Sequence, residues 1–404
     1  MVATQPSALV ERVSRQLEKG LLMVTRKCGT RIGVALSASI VLSLLSAGAA
    51  QAQSLTATVV VSGLNNPRQL ALTKTGDLLI AEAGNGGGTK IGKGKGAQYV
   101  GPSGSVSLVT DPSTGSNESP DRILTGFLSS SSKGGAEAVG SDGVSANSLA
   151  AIYVQETYFG PNVPPFFPDQ EGQLLVAAKH GVPTEVTNIS SFNQSANPDG
   201  QPFDSDPYAV LITGSGTELV ADAAANDIVS VSNGEDSVFH WFPNVTAGKC
   251  AKKADPNRSF PGCNFVPTAL AQNKAGDVFV TGLVSLVPGA GEVVELDPTG
   301  ASVLNTWTGF TAPDGIAVDK AGDIYVSQLL APEANPPVPQ IAGVVTEIPT
   351  SGSDINTDVP FPSGLVLDKA GNLYVSAFSI APSTGLGVPD TSGEVLRLTA
   401  SSSD

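Results

Sequence analysis

The chain is poor in the residues from which most catalytic centres are assembled. Its 404 residues include two histidines (His180 and His240), two methionines, two tryptophans and three cysteines. It contains no H-E-x-x-H and no G-x-S-x-G, which removes helix-borne zinc proteases and the serine-elbow hydrolases. Charged residues make up 15% of the chain, well below the roughly 25% usual in soluble domains. Acidic residues outnumber basic ones 37 to 22, for a net charge of −15. That sign argues against nucleic acid and against anionic membrane surfaces as partners. Long apolar runs are missing too. The one near the N-terminus, from Ile32 to about Leu45, is too short for a comfortable membrane span.

That short run has a different use. Arg26, Lys27 and Arg31 precede it, and small residues ending in "AQA" at Ala52 follow it. This order is that of an export signal, so residues 1–52 read as a leader, with Met23 as an alternative start, and residues 53–404 as the functional domain. The expected location is secreted or periplasmic, with no stable membrane span after signal removal. No cysteine stands at the cleavage point for lipid attachment. Cys28 leaves with the leader, and Cys250 and Cys263 remain in "CAKKADPNRSFPGC". In an oxidising compartment this pair reads as a disulfide clamping a loop. Zinc is the competing reading, which two thiolates without a nearby histidine leave incomplete.

Glycine (45) and proline (29) are abundant, and they are spaced by a repeat. "PDGIAVDKAGDIYVSQ" at Pro313 returns as "PSGLVLDKAGNLYVSA" at Pro362. Further copies begin at Pro67, Pro207 and Pro267, and a worn one, "SDGVSANSLAAIYVQE", begins at Ser141. Each copy is an apolar run, a polar turn and a second run that alternates, the pattern of two strands joined tightly. Alternating stretches such as "GEVVELD" from Gly291 and "GEVLRLT" from Gly393 supply a third strand, and "VLNTWTGF" ending at Phe310 a fourth. Copies spaced about 45–75 residues apart fit blades of 40–50 residues with long loops in the first three. The expected fold is therefore all-β: a six-bladed β-propeller of four-stranded antiparallel blades. The last copy stops after its third strand, so the N-terminal strand, "TATVVVSGLNNP", is expected to complete it and close the ring.

In such a ring, function falls on what differs among the copies. Superposing them places Arg68, Asp142, Tyr208, Thr268, Asp314 and Ser363 in one ring, and Glu82, Glu156, Asp222, Gly282, Gln328 and Ala377 in a second. Arg68, Asp142, Tyr208, Asp314, Glu82 and Asp222 are the candidate ligand-binding residues of the channel mouth. Asp142 and Asp314 belong to opposed blades and are the candidate ligands of a divalent cation. "YFGPNVPPFFPDQEG" from Tyr158 reads as a stiff cover. Asp199, Asp204 and Asp206 lie close together but fit no standard calcium loop, and Asx-turns are the simpler reading. "GGTKIGKGKG" lacks the Ser/Thr of a phosphate loop and reads as a flexible basic loop, and "HWF" at 240–242 as part of a strand in blade 3.

"GLNNPRQLAL" from Gly63, "IAEAGNGG" from Ile80, "GPSGSVSLV" from Gly101, "NPDGQPFDSDPYAV" from Asn197 and "LVADAAANDIVSV" from Leu219 together resemble the ScyD/ScyE family of exported bacterial propeller proteins. That family is named from gene clusters for scytonemin, an indole-phenol pigment. The resemblance implies export and a link to aromatic secondary-metabolite biosynthesis. The repeat is also similar to NHL-type and gluconolactonase-type propellers, whose metal-dependent lactonases hold their metal with acidic and amide groups at the mouth. Asp314 and Asp142 match that ring, whereas Arg68, Tyr208, Thr268 and Ser363 depart from it. The leading expectation is an exported binding or scaffold propeller for a small molecule or a protein. The alternative is a metal-dependent hydrolase of lactonase type, or an accessory oxidative enzyme, with its site at the channel mouth.

Overall fold

The computed structural model describes residues 55–400, apart from 115–118, 158–169, 199, 201–202, 253–260, 332–341 and 388–389. The leader at 1–52 and most of the cover segment from Tyr158 lie outside the described residues.

β1 (Leu55–Leu64) is followed by six repeats of the same plan. Blade 1 holds β2 (Pro67–Leu72), β3 (Leu78–Glu82), β4 (Thr89–Ile91), β5 (Gln98–Val109) and β6 (Asp121–Ser131). Blade 2 holds β7 (Ser141–Ser148), β8 (Ala151–Glu156), β9 (Gln173–Ala177) and β10 (Thr184–Asn188). Blade 3 holds β11 (Pro207–Ile212), β12 (Glu218–Asp222), β13 (Asp227–Ser232) and β14 (Glu235–Trp241). Blade 4 holds β15 (Pro267–Gln272), β16 (Val278–Gly282), β17 (Gly291–Leu296) and β18 (Val303–Phe310). Blade 5 holds β19 (Pro313–Val318), β20 (Ile324–Gln328), β21 (Val344–Ile348) and β22 (Ile355–Asp358). Blade 6 holds β23 (Leu365–Leu367), β24 (Leu373–Ala377) and β25 (Gly393–Ala400), and β1 pairs with β25 to complete it. The ring is thus a six-bladed propeller closed by the first described strand, and His240 and Trp241 lie in blade 3 as expected.

Two features depart from the reading of the sequence. The basic segment after β3 is not simply a loop, because β4 pairs with the start of β5 and makes blade 1 a five-stranded sheet. Between blades 2 and 3 the chain forms α1 (Ile189–Ala196), capped by Asn188, whose side chain accepts from Ser191 N, and ended by Asn197 at φ 38°. Asn suits both ends, as an N-cap acceptor and as a residue that tolerates the left-handed conformation.

The inner strands β2, β7, β11, β15, β19 and β23 touch one another in a closed circle. Their close approach explains the glycine in the repeat's third position. A Cβ on Gly315 would stand 2.2 Å from Ser363 O, and one on Gly364 2.6 Å from Arg68 O. Core packing lies mostly between adjacent sheets. Leu79, Val106, Phe127, Val144, Ile152 and Val154 are buried together between blades 1 and 2, and Leu219, Ile228, Phe265, Val280 and Leu296 between blades 3 and 4.

Candidate functional site

Strand register decides where the two rings lie. Pro67 is opposite Glu82, Ser141 opposite Glu156, Pro207 opposite Asp222, Pro267 opposite Gly282 and Pro313 opposite Gln328. Both rings are therefore at one end of the propeller, where each inner strand starts and each second strand stops. A recurring backbone bond fixes this end. The residue before the inner strand accepts from the residue after the second strand, as in Asn66 O with Ala83 N (3.1 Å), Val266 O with Leu283 N (2.9 Å) and Ala312 O with Leu329 N (2.9 Å). Asn66, Val266 and Ala312 all have φ between 50° and 60°, a left-handed conformation that costs a β-branched Val in particular.

The first ring brings four of its members together on the axis. Arg68, Asp142, Tyr208 and Asp314 are 6%, 0%, 6% and 3% exposed. Arg68 Nε lies 3.3 Å from Asp142 Oδ1, and its Nη2 donates to Ala138 O at 2.5 Å. The Tyr208 hydroxyl donates to Asp314 Oδ2 at 3.2 Å, across from blade 3 to blade 5. Thr268 donates to Pro313 O at 2.9 Å. The Ser363 hydroxyl stands beside Tyr208 and Asp314, close enough to lower both pKa values.

Burial shapes the charges. It pushes Asp142 up to about 7, against the opposing pull of Arg68. It pushes Asp314 up to about 6, with Arg68, Ser363 and Tyr208 all holding it down. Tyr208 is raised well above its ordinary value by burial and by Asp314, so it stays a neutral donor. Burial alone would lower Arg68, but Tyr208, Asp142 and Asp314 more than offset this and it remains a cation.

Gln69 belongs to this site and was not singled out in the sequence. It reaches across the axis from blade 1, and its Nε2 donates to Thr268 O (3.1 Å) and Asp314 O (3.0 Å). The signal was present: the third position is Gly or Ala in every other copy and a long amide only here.

Second-ring carboxylates have local partners instead. Glu82 pairs with Arg122 Nη2 at 2.7 Å and accepts from Asn65 N and Ser107 Oγ. Asp222 accepts from Ser205 Oγ, Asp206 N, Ala225 N and Asn193 Nδ2, pinning α1 and the segment before β11. Gln328 bonds Thr311 N and Thr346 Oγ1. Glu156 differs: it is fully buried, neither oxygen has a hydrogen-bond donor, and burial followed by Asp142 raises its pKa well above the carboxylate range. Asp206, accepting from Thr157 Oγ1, is raised in the same way.

No three of His, Cys, Asp and Glu are grouped to hold a metal among the described residues. At Asp142, one of the two candidate cation ligands, the neighbouring charge is the Arg68 guanidinium. Asp199 lies outside the described residues. The Cys250–Cys263 disulfide is formed, and Val245 and Cys263 close its loop with paired backbone bonds of 2.8 and 2.9 Å. No helix among the described residues is long and apolar enough to cross a membrane.

No family model matches the chain, and no curated protein matches it. Solved structures do. A calcium-binding protein, regucalcin, from Agrobacterium tumefaciens shares 10% identity at a TM-score of 0.50, over 86% of this chain and 94% of that one. A putative oxidoreductase (glucose dehydrogenase) from Thermus thermophilus shares 17% identity at a TM-score of 0.49, over 85% and 100%. A streptogramin B lyase shares 10% at 0.48, over 87% and 100%. At these identities the likeness to regucalcin speaks for the propeller fold alone.

Proposed function

We propose that the chain is an exported β-propeller binding protein of the ScyD/ScyE type, which recognises a small molecule or a protein partner at the end carrying both rings. The observation behind this is the asymmetry of the connections. The connections that leave Glu82, Glu156, Asn188, Trp241, Gln328 and Ala377 all start at that end, and loops on a rigid scaffold are where propellers vary their recognition. The axial group beneath them comes from four blades and differs from blade to blade, as a tailored floor does. Export is supported by the basic and apolar leader and by the disulfide, which a reducing compartment would not favour. The sequence motifs shared with the ScyD/ScyE family favour a small aromatic ligand of secondary metabolism.

Arg68 bears on the choice between binding and metal-assisted hydrolysis. A guanidinium 3.3 Å from Asp142 repels a second cation there, which favours binding. The test is elemental mass spectrometry of the chain without residues 1–52, together with a thermal-shift panel of phenols, indoles and divalent cations. The binding reading expects a phenol or indole to raise Tm, and Arg68→Ala to remove the shift. Stoichiometric metal that disappears in an Asp142→Ala/Asp314→Ala variant would overturn it in favour of the hydrolase.

A further inference from the structure

At the opposite end of the propeller the first two strands of each blade are joined by short turns, and four of these carry a lysine at the same place: Lys74, Lys274, Lys320 and Lys369. Two of these lysines act as struts between neighbouring blades. Lys320 Nζ donates to Lys369 O at 3.1 Å, and Lys369 Nζ donates to Lys74 O at 3.0 Å, so each spans from its own blade to the next. Blades 2 and 3 break the series, with Ser148 and Gly214 at that place. A groove of about 580 Å³ lies between the turns of blades 3 and 4, which Gly214 N bridges by donating to Gln272 Oε1 at 2.8 Å, and its volume is within the roughly 300–1,000 Å³ typical of small-molecule sites.

The groove has two chemical halves. Leu219, Phe239 and Pro298 make an apolar wall. Phe239 is held in place by blade 4: His240 Nδ1 beside it donates to Gly300 O at 2.7 Å, and Gly300 lacks the Cβ that would strike the Phe239 ring. The other half is Thr213, Ser215 and Lys274. Lys274 has no hydrogen-bond or ion-pair partner among the described residues, and it lines this groove while Lys320 and Lys369 bridge blades. No carboxylate lines the groove, although acidic residues outnumber basic ones 37 to 22 in the chain. Of the carboxylates that adjoin lining residues in sequence, Asp277 is engaged by Asn273 Nδ2 (2.8 Å), Asp297 by Thr299 N and Oγ1, and Glu218 interacts with Tyr153 of blade 2.

From this arrangement we infer that the blade 3–blade 4 groove is a second binding site, for a small amphipathic carboxylate. Its ring or alkyl body lies against Phe239 and Pro298, and its carboxylate pairs with Lys274 and takes a hydrogen bond from the Ser215 hydroxyl, the Thr213 hydroxyl already donating to Thr217 O at 3.0 Å. The site is independent of the loop-bearing end and stands whether or not that end binds a ligand.

Ligand-observed NMR titration with phenylacetate, and with benzylamine as the cationic counterpart, tests it on the full domain. Phenylacetate binds saturably and benzylamine does not. Lys274→Ala weakens phenylacetate about tenfold, as loss of a charge-assisted contact does. Gly214→Glu places a carboxylate and its side chain in the groove and abolishes binding. That position is sterically open, its nearest contact being Gln272 Oε1 at 3.5 Å, and an unchanged Tm verifies folding of both variants. Absence of saturation by phenylacetate, equal binding of benzylamine, or wild-type affinity in either variant overturns the proposal.

Discussion

The two ends of the propeller are built from the same six repeats and solve different problems. At the turn end, polar side chains bond their own backbone: Asp319 Oδ1 accepts from Ala321 N and Asp323 N, and Asp368 Oδ1 from Ala370 N and Asn372 N. These exposed Asx-type turns are nearly interchangeable between blades. At the loop end, polar groups from different blades meet in the dry centre of the ring and bond one another. Repetition therefore serves local geometry at one end, while divergence at the other assembles a charged group that no single blade contains. The energetic stakes differ accordingly, since a buried charge that loses its partner costs far more than an exposed turn contact.

The largest effect is expected from Arg68→Met, which leaves Asp142 and Asp314 buried without their cation. A loss of about 3–5 kcal/mol in denaturant-measured stability at pH 8 is expected, and a smaller loss at pH 5, where the carboxyls take up protons. An equal loss at both pH values would separate the stability cost from the axial charges. The wild type carries the same signature. Burial raises Asp142 to about 7 and Asp314 to about 6, and raises Glu171 and Glu394 at the loop end to about 7. Groups raised in the folded state contribute stability that is complete below their unfolded value and is lost as pH climbs through the folded one. Tm should therefore fall between pH 5 and 8, and Asp142→Asn should flatten the slope. A Tm that rises over this range contradicts the assignment.

Next in size is Cys250→Ser/Cys263→Ser, which releases the loop at the same end. Closing a loop with a sequence separation of 13 contributes about 3 kcal/mol on the chain-entropy account, readable as a drop in the denaturation midpoint. Gly315→Ala drives a methyl into Ser363 O and should cost roughly 1–3 kcal/mol, while Gly322→Ala, in the turn below it, meets only Thr350 at 3.3 Å and is opposed chiefly by its positive φ. If Gly315→Ala proves the milder of the two, the inner strands are less tightly packed than the distances state. The smallest effect belongs to the turn end itself: Lys320→Ala removes one exposed strut and should shift stability by about 1 kcal/mol or less, measured by the same unfolding curves.

Blade number and ring closure were legible because the repeat is written in residues that local geometry demands. A Gly follows the polar turn in five of the six copies, and β-branched or aromatic residues alternate in the second strand, as in "DIYVS". The candidate rings were legible as positions, since superposed copies share a register. Their contents were not. Nothing near Glu82 in sequence announces Arg122 as its partner, and Asp222 and Asp142 occupy comparable mouth positions although one fastens a helix and the other meets a cation on the axis. β4 was hidden for a related reason: "GTKIGKGKG" has a composition suited to a loop, and its strand exists because the extended start of β5 offers it a partner.

The sequence by itself determined that the chain makes blades, how many there are, and that its first strand must return to the last, because turn chemistry and side-chain alternation act over a few residues. Only the tertiary structure decided that both rings share one end, that Gln69 and Arg68 fill the axis beside Tyr208 and Asp314, and that a groove opens beside Gly214. Those facts depend on how six sheets are rotated about a common centre, which brings together groups as distant in the chain as Gln69 and Asp314, 245 residues apart. The free energy of such contacts is set by burial and distance, and neither is written in the local order of residues.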